Sequence, residues 1–235
     1  MKRRSKKYKA AMEMLNPTCH YDVDEALDLA IKTASAKFDE TVDLAFLLGV
    51  SPKHADQMIR GAMSLPSGTG KDIKVAVITT GEKISIAQNA GADHAGEDDL
   101  IQKIAGGWLD FDRLIASPDI MGKMGKIGRI LGPRGLMPNP KLGTVTMNVE
   151  KAVKEQKAGT VEYRTDKEGN VHVPIGKKSF GREKLKKNFA AIMGAIIKAK
   201  PVSAKGDYIQ GLVISSTMGP GIKMDVYKAM ALTSS

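Results

Sequence analysis

The chain has a single cysteine in 235 residues, Cys19. That excludes an internal disulfide and a cysteine-built metal cluster, and it suits a reducing, cytoplasmic compartment. The four histidines, His20, His54, His94 and His172, fall without metal-ligand spacing, so no metal centre is expected. No run of about 18 apolar residues occurs, so no membrane-spanning helix is expected either. The first nine residues are basic, but no apolar stretch follows them, and they do not read as a secretory leader. Acidic residues are also in short supply: 26 Asp and Glu stand against 36 Lys and Arg, for a net charge of +10. Such an excess predicts an anionic partner, nucleic acid or a membrane surface.

The charge is unevenly spread. Residues 68–160 hold 13 Lys and Arg against 11 Asp and Glu, whereas the two flanking pieces together hold 23 against 15. If the flanks fold together, the anion-binding surface belongs mainly to them.

Apolar periodicity supports that division. The basic arm 2–9 runs into a short helical stretch through Ala10, Ala11, Met14 and Leu15, which Pro17 ends. Asp22 and Asp24 are N-cap candidates for a helix lasting to about Ala34. Val42, Leu44, Phe46 and Leu48 then alternate as one face of a strand, and Gln57 to Leu65 reads as a second strand with Gly61 as a bulge. Pro66 to Lys71 is the first strong punctuation and marks a domain boundary. Beyond it, strands at 73–79, 92–94 and 114–116 alternate with helices at 82–90 and through Leu100, Ile101 and Ile104, and a helix over 149–157 closes the segment. This order argues a parallel sheet with helices on its faces. After Gly159, residues 160–165 and 170–174 read as a β-hairpin around Asp166–Gly169, and an amphipathic helix follows over 181–198. A β-branched strand through Leu212, Val213 and Ile214 ends in Ser215, Ser216, Thr217, Met218 and Gly219, with residues 221–226 as its antiparallel partner. The expected fold class is α/β: a split α+β domain of residues 1–67 and 161–235, with 68–160 inserted as a three-layer α/β domain.

Conspicuous glycine motifs do not point to an enzyme. Gly68-Thr-Gly-Lys71 lacks the upstream glycine of a phosphate loop, is followed by Asp72 in place of Ser or Thr, and precedes a strand instead of a helix. Gly81-Glu-Lys-Ile lacks the second glycine of a dinucleotide fingerprint. No cofactor is expected. Gly122-Lys-Met-Gly125 and Gly125-Lys-Ile-Gly128 do fit the Gly-x-x-Gly loop that clamps backbone phosphates in KH domains. This opens the reading of an RNA-binding module that uses these loops in a KH-like manner, with a nucleotide-dependent enzyme built on 68–160 as a further alternative.

The longer stretch from Met124 to Pro140, with its Gly-Pro-Arg-Gly-Leu-Met-Pro-Asn-Pro ending, resembles the signature of the ribosomal protein L-one family, in its bacterial form. The resemblance extends through residues 36–42, 55–61, 65–71, 91–93, 107–112, 158–159 and 217–219. It implies a split RNA-binding domain made of both termini and an inserted Rossmann-like domain. It implies binding to the ribosomal RNA of the large-subunit mobile stalk beside the exit-site tRNA, assistance in releasing deacylated tRNA, and repression of the protein's own operon through its mRNA. No catalysis is implied, and the protein is expected to be a monomer when free of the ribosome.

Chemistry and resemblance together single out the contact residues. Phe38, flanked by Lys37 and Thr41, could stack on a base or ribose, the alternative being a core phenylalanine. Glu40 could accept a 2′-OH hydrogen bond, and a solvated strand end accounts for it equally well. Thr217 offers a hydroxyl, Met218 an adaptable apolar contact and Gly219 a close backbone approach. Asp166, Lys167 and His172 match family positions near RNA, although turn chemistry alone also explains Asp166. Ala45 and Leu47 stand on the strand face opposite Phe46, where relatives often show a polar or basic residue at the second position. Lys53-His54 stands where many relatives carry two strong bases. The tail after Val226 runs longer than the resemblance implies.

Overall fold

The computed structural model describes residues 5–204 and 206–232. In chain order the elements are α1 (Lys6–Glu13), α2 (Val23–Thr33), β1 (Thr41–Leu48), β2 (Arg60–Ser64), β3 (Val75–Ile78), α3 (Lys83–Asn89), β4 (His94–Gly96), α4 (Asp98–Ala105), β5 (Arg113–Ala116), α5 (Met121–Met124), α6 (Gly128–Leu131), α7 (Val149–Lys157), β6 (Thr160–Arg164), β7 (Asn170–Lys177), α8 (Gly181–Lys198), β8 (Ile209–Ser216), β9 (Ile222–Lys223) and α9 (Val226–Ala231). Two compact units emerge: residues up to Gly70 with those from Val161 onward, and Lys71–Thr160. No helix among the described residues is long and apolar enough to cross a membrane.

The first unit is built on a four-stranded antiparallel sheet in the order β7-β1-β8-β9. Strand β1 is central, and its alternation places Val42, Leu44, Phe46 and Leu48 in the core. Helices α2 and α8 pack over that face. The Asp22 carboxylate accepts the Val23 N–H at 2.9 Å to cap α2, and Asp24 and Glu25 complement the positive end of the helix. Leu185, Phe189, Ile192 and Ile196 form the buried stripe of α8. Among them sits a buried amide. Asn188 donates to Ile175 O at 2.7 Å and Gly68 O at 3.0 Å and accepts from Ser67 N at 2.9 Å. With Gly70 pressed against Lys177 and Phe180, this stitches the segment after β2 to the first unit.

In the second unit β3 lies between β4 and β5 in a parallel sheet. Its four residues are buried on both faces. Val75 and Val77 meet Ala87, Val149 and Val153 on one side; Ala76 and Ile78 meet Leu100, Ile104, Met124 and Leu131 on the other. The result is a three-layer α/β arrangement.

Several sequence expectations need correction. The 160–174 hairpin closes only at its tip, through the Thr165–Val171 bridge and Asp166 N–H to Asn170 O at 2.8 Å. Strand β6 pairs with β2, and β7 pairs with β1. The reason is local: Thr165 exchanges backbone and hydroxyl hydrogen bonds with Ile59 at 2.9–3.0 Å, which draws β6 away from β7. Gly61 is small because the Tyr163 ring lies where a Cβ would stand. The second strand of the parallel sheet, β4, begins at His94, not Ala92. Residues 6–9 of the basic arm belong to α1, whose N-cap is Ser5; Lys2 to Arg4 lie outside the described residues. The tail after Val226 forms α9, and residues 233–235 lie outside the described residues.

Candidate nucleic-acid interface

Two loops from opposite ends of the chain meet at one end of the β1–β8 pair. Antiparallel register sets Val42 opposite Ser216, so the residues entering β1 and leaving β8 are neighbours. Thr217 N–H donates to Thr41 O at 3.0 Å, its hydroxyl donates to the same oxygen at 3.2 Å, and Thr41 N–H donates to Thr217 Oγ1 at 3.1 Å. Both threonines hold each other in place, leaving Lys37, Phe38 and Met218 exposed around them. Phe38 is 56% exposed and Met218 60%, which removes both from the core. Exposed apolar groups of this size beside hydroxyls and bases form a surface suited to stacking under a base or ribose.

Glu40 does not face solvent. It is fully buried, with Oε1 accepting the Ala36 N–H at 2.7 Å and Oε2 the Met218 N–H at 2.9 Å. In this structure it is therefore not free to accept a 2′-OH; it ties the 36–40 loop to the 217–219 loop. Burial pushes its pKa up, but the Ala36 and Met218 amides, the Ser216 hydroxyl and the Lys178 charge outweigh that and hold the carboxyl below its ordinary value. Gly219 also has an internal reason to be glycine, because a Cβ there would run into the Ser216 hydroxyl.

The end of β7 and the two residues that follow it brace the first loop, a role that sequence reading missed. Lys177 Nζ reaches Thr41 Oγ1 at 2.9 Å, Lys178 Nζ reaches Ala34 O at 2.6 Å, and the Ser179 hydroxyl donates to Asp39 at 2.6 Å. The Lys-Lys-Ser run at the end of a strand was the available signal.

Asp166, Lys167 and His172 are not part of this cluster. The Asp166 turn lies at the far end of β1, about 20 Å away by strand rise. The Asp166 carboxylate accepts the Asn170 and Glu168 N–H groups at 2.7 and 2.9 Å, and these bonds, Asn170 first, lower its pKa. Its first role is therefore turn formation. Lys167 is exposed beside a groove of about 700 Å³ lined by Pro52, Lys53, Met58, Arg164 and Asp166. Arg164, an exposed strand position that sequence reading passed over, adds a further strong base to the lining of this groove. His172 lies opposite Ala45 on the helix-free face of the sheet, with Leu47 and Val213 on neighbouring positions. Half-exposed Ala45, Val213 and Ser215 make that face a continuous path between the two ends.

The motifs that suggested other activities are placed differently. The two Gly-x-x-Gly matches fall in the short α5, the turn after it and the start of α6. Both lie in the second unit, outside the surface just described.

The fold and this surface define a two-unit α/β protein whose first unit offers apolar groups and hydroxyls amid bases. Residues 30–220 match the model of the Ribosomal protein L1p/L10e family, and the chain belongs to that family. It is accordingly a protein of the large ribosomal subunit that binds ribosomal RNA, in a family that is structural and not enzymatic.

Proposed function

We propose that the first unit is the ribosomal-RNA-binding domain and that its contact surface is the joined pair of loops carrying Lys37, Phe38, Thr41, Thr217, Met218 and Gly219. The helix-free sheet face extends this surface toward His172, Lys167 and Asp166, while Glu40 holds its two halves together from below. The second unit is the inserted Rossmann-like domain and binds no nucleotide cofactor. In this reading the protein forms the mobile stalk of the large subunit beside the tRNA exit site and assists release of deacylated tRNA. The same face binds a similar element in the mRNA of its own operon and so represses translation when ribosomal RNA is scarce. Off the ribosome the protein is a monomer.

The observation that carries this reading is the reciprocal Thr41–Thr217 bonding beneath exposed Phe38 and Met218. It makes one rigid surface from segments 176 residues apart, preorganised before RNA arrives. The test is titration of a stalk ribosomal-RNA fragment and of the operon leader with the wild-type chain and the Phe38→Ala/Met218→Ala double variant. Both RNAs should lose about 10- to 100-fold in affinity, since aromatic contacts of this kind contribute about 1–3 kcal/mol each. Undiminished binding of either RNA by a folded double variant overturns the shared face.

A further inference from the structure

The second unit carries three consecutive triplets that the proposed function leaves unused: Gly122-Lys-Met, Gly125-Lys-Ile and Gly128-Arg-Ile. They sit in a stretch, residues 120–149, without a single Asp or Glu and with five bases, Lys123, Lys126, Arg129, Arg134 and Lys141. Helical turns sort the triplets into rows. Met124 and Ile127 are fully buried and Lys123, Lys126 and Arg129 are exposed, as are Gly122 and Gly125, with Gly128 half-exposed. Lys123 is neutralised by Glu97 and Asp98, each at 3.0 Å. Lys126 and Arg129 have no carboxylate partner among the described residues.

The glycine row has no internal cause. A Cβ at Gly122 or Gly128 would meet nothing within 4 Å, and one at Gly125 would make only ordinary contact with the Gly122 carbonyl at 3.6 Å. None of the three has a positive φ. Glycine is less stable than alanine in such helical turns, so nothing inside the chain favours it here. Nearby glycines differ: at Gly132 a Cβ would press on the Gly128 carbonyl at 2.8 Å, and Gly135 has φ 70°. A bare backbone strip beside two unpaired cations matches what a sugar–phosphate backbone needs for close approach.

We propose that this strip is a second RNA-contact site, taking the phosphate backbone of an RNA other than the one held by the first unit, without reading its sequence. Two free cations predict a weak grip with a shallow salt dependence, which fits a passing RNA better than a permanent one. The RNA that passes is tRNA, an identification that rests on the exit-site reading above.

The test uses the full chain with deacylated tRNA and, separately, the stalk ribosomal-RNA fragment. Lys126→Ala/Arg129→Ala should lower tRNA affinity about tenfold and flatten the log K against log salt slope by about two units. Stalk RNA affinity should stay within about twofold of wild type on the same grounds. Gly122→Gln/Gly128→Gln keeps every charge; it should leave the melting temperature unchanged or higher yet weaken tRNA binding. The charge-matched Lys184→Ala/Lys187→Ala pair, on α8 of the first unit, should weaken tRNA binding less than the Lys126/Arg129 pair. Absence of tRNA binding by the wild-type chain, unchanged binding by the triplet variants, or equal loss in the α8 control overturns the proposal. A parallel loss of stalk RNA binding also overturns it, by giving the strip to the first RNA, and leaves the Phe38–Met218 face standing.

Discussion

The two units contrast in how their chemistry is displayed. In the second, conspicuous motifs crowd one stretch, rich in glycines, bases and prolines from Gly122 to Gly143. In the first, the surface proposed to bind ribosomal RNA is divided between two short loops whose residues look ordinary in either place. Thr41 and Thr217 become a site only because antiparallel pairing of β1 with β8 makes them neighbours. A local motif exposes itself in sequence; a site assembled by topology does not. The basic excess showed which unit to search, since flanks holding most of the surplus charge form the first unit.

The contrast can be broken most severely at Glu40. Glu40→Ala removes the acceptor of two part-buried N–H groups, Ala36 and Met218, and should destabilise the protein by about 2 kcal/mol, read from denaturant melts. A change under about 0.5 kcal/mol would place Glu40 outside the joint between the loops. Next in size, Phe38→Ala and Met218→Ala should each weaken stalk RNA binding about tenfold or more while leaving the melt and the salt slope unchanged. A variant that unfolds would return that side chain to the core, against its exposure.

Acid sharpens the role of Glu40 further. Its folded pKa lies below the ordinary value, so its contribution to stability is complete above the unfolded pKa and is lost as pH falls through the folded one. Wild-type stability should therefore drop between about pH 5 and about pH 3 by more than that of Glu40→Gln, as measured by melts across the range. Parallel curves would mean that the carboxylate does not carry the link. The smallest effect belongs to Lys167→Ala, which should flatten the salt slope for stalk RNA by about one unit and lower affinity only a few-fold. A loss as large as that of Phe38→Ala would move the centre of the face to the Asp166 turn.

Much of the architecture was legible because it is periodic. Val42 to Leu48 alternates cleanly, and the apolar stripe of α8 and the span of α7 follow from helical spacing, with Gly159 ending α7 and Gly181 opening α8. The hairpin misreading shows the limit of local pattern. Asp166–Gly169 has good turn chemistry, yet the partner of β6, the strand before the turn, depends on Thr165 and Tyr163 meeting Ile59 and Gly61, a pairing about a hundred residues away in the chain. The site was legible as residue types near Phe38 and Thr217. Glu40 was misjudged because an acidic residue at a strand start resembles a solvated one; only the fold shows two amides aimed at it. The bracing by Lys177, Lys178 and Ser179 was invisible for the same reason.

The most direct test of the central claim is ultraviolet cross-linking of the full chain to a stalk ribosomal-RNA fragment, with adducts mapped by mass spectrometry. The account predicts adducts at Phe38 and Met218, in peptides from both ends of the chain. Adducts confined to residues 71–160 would contradict it.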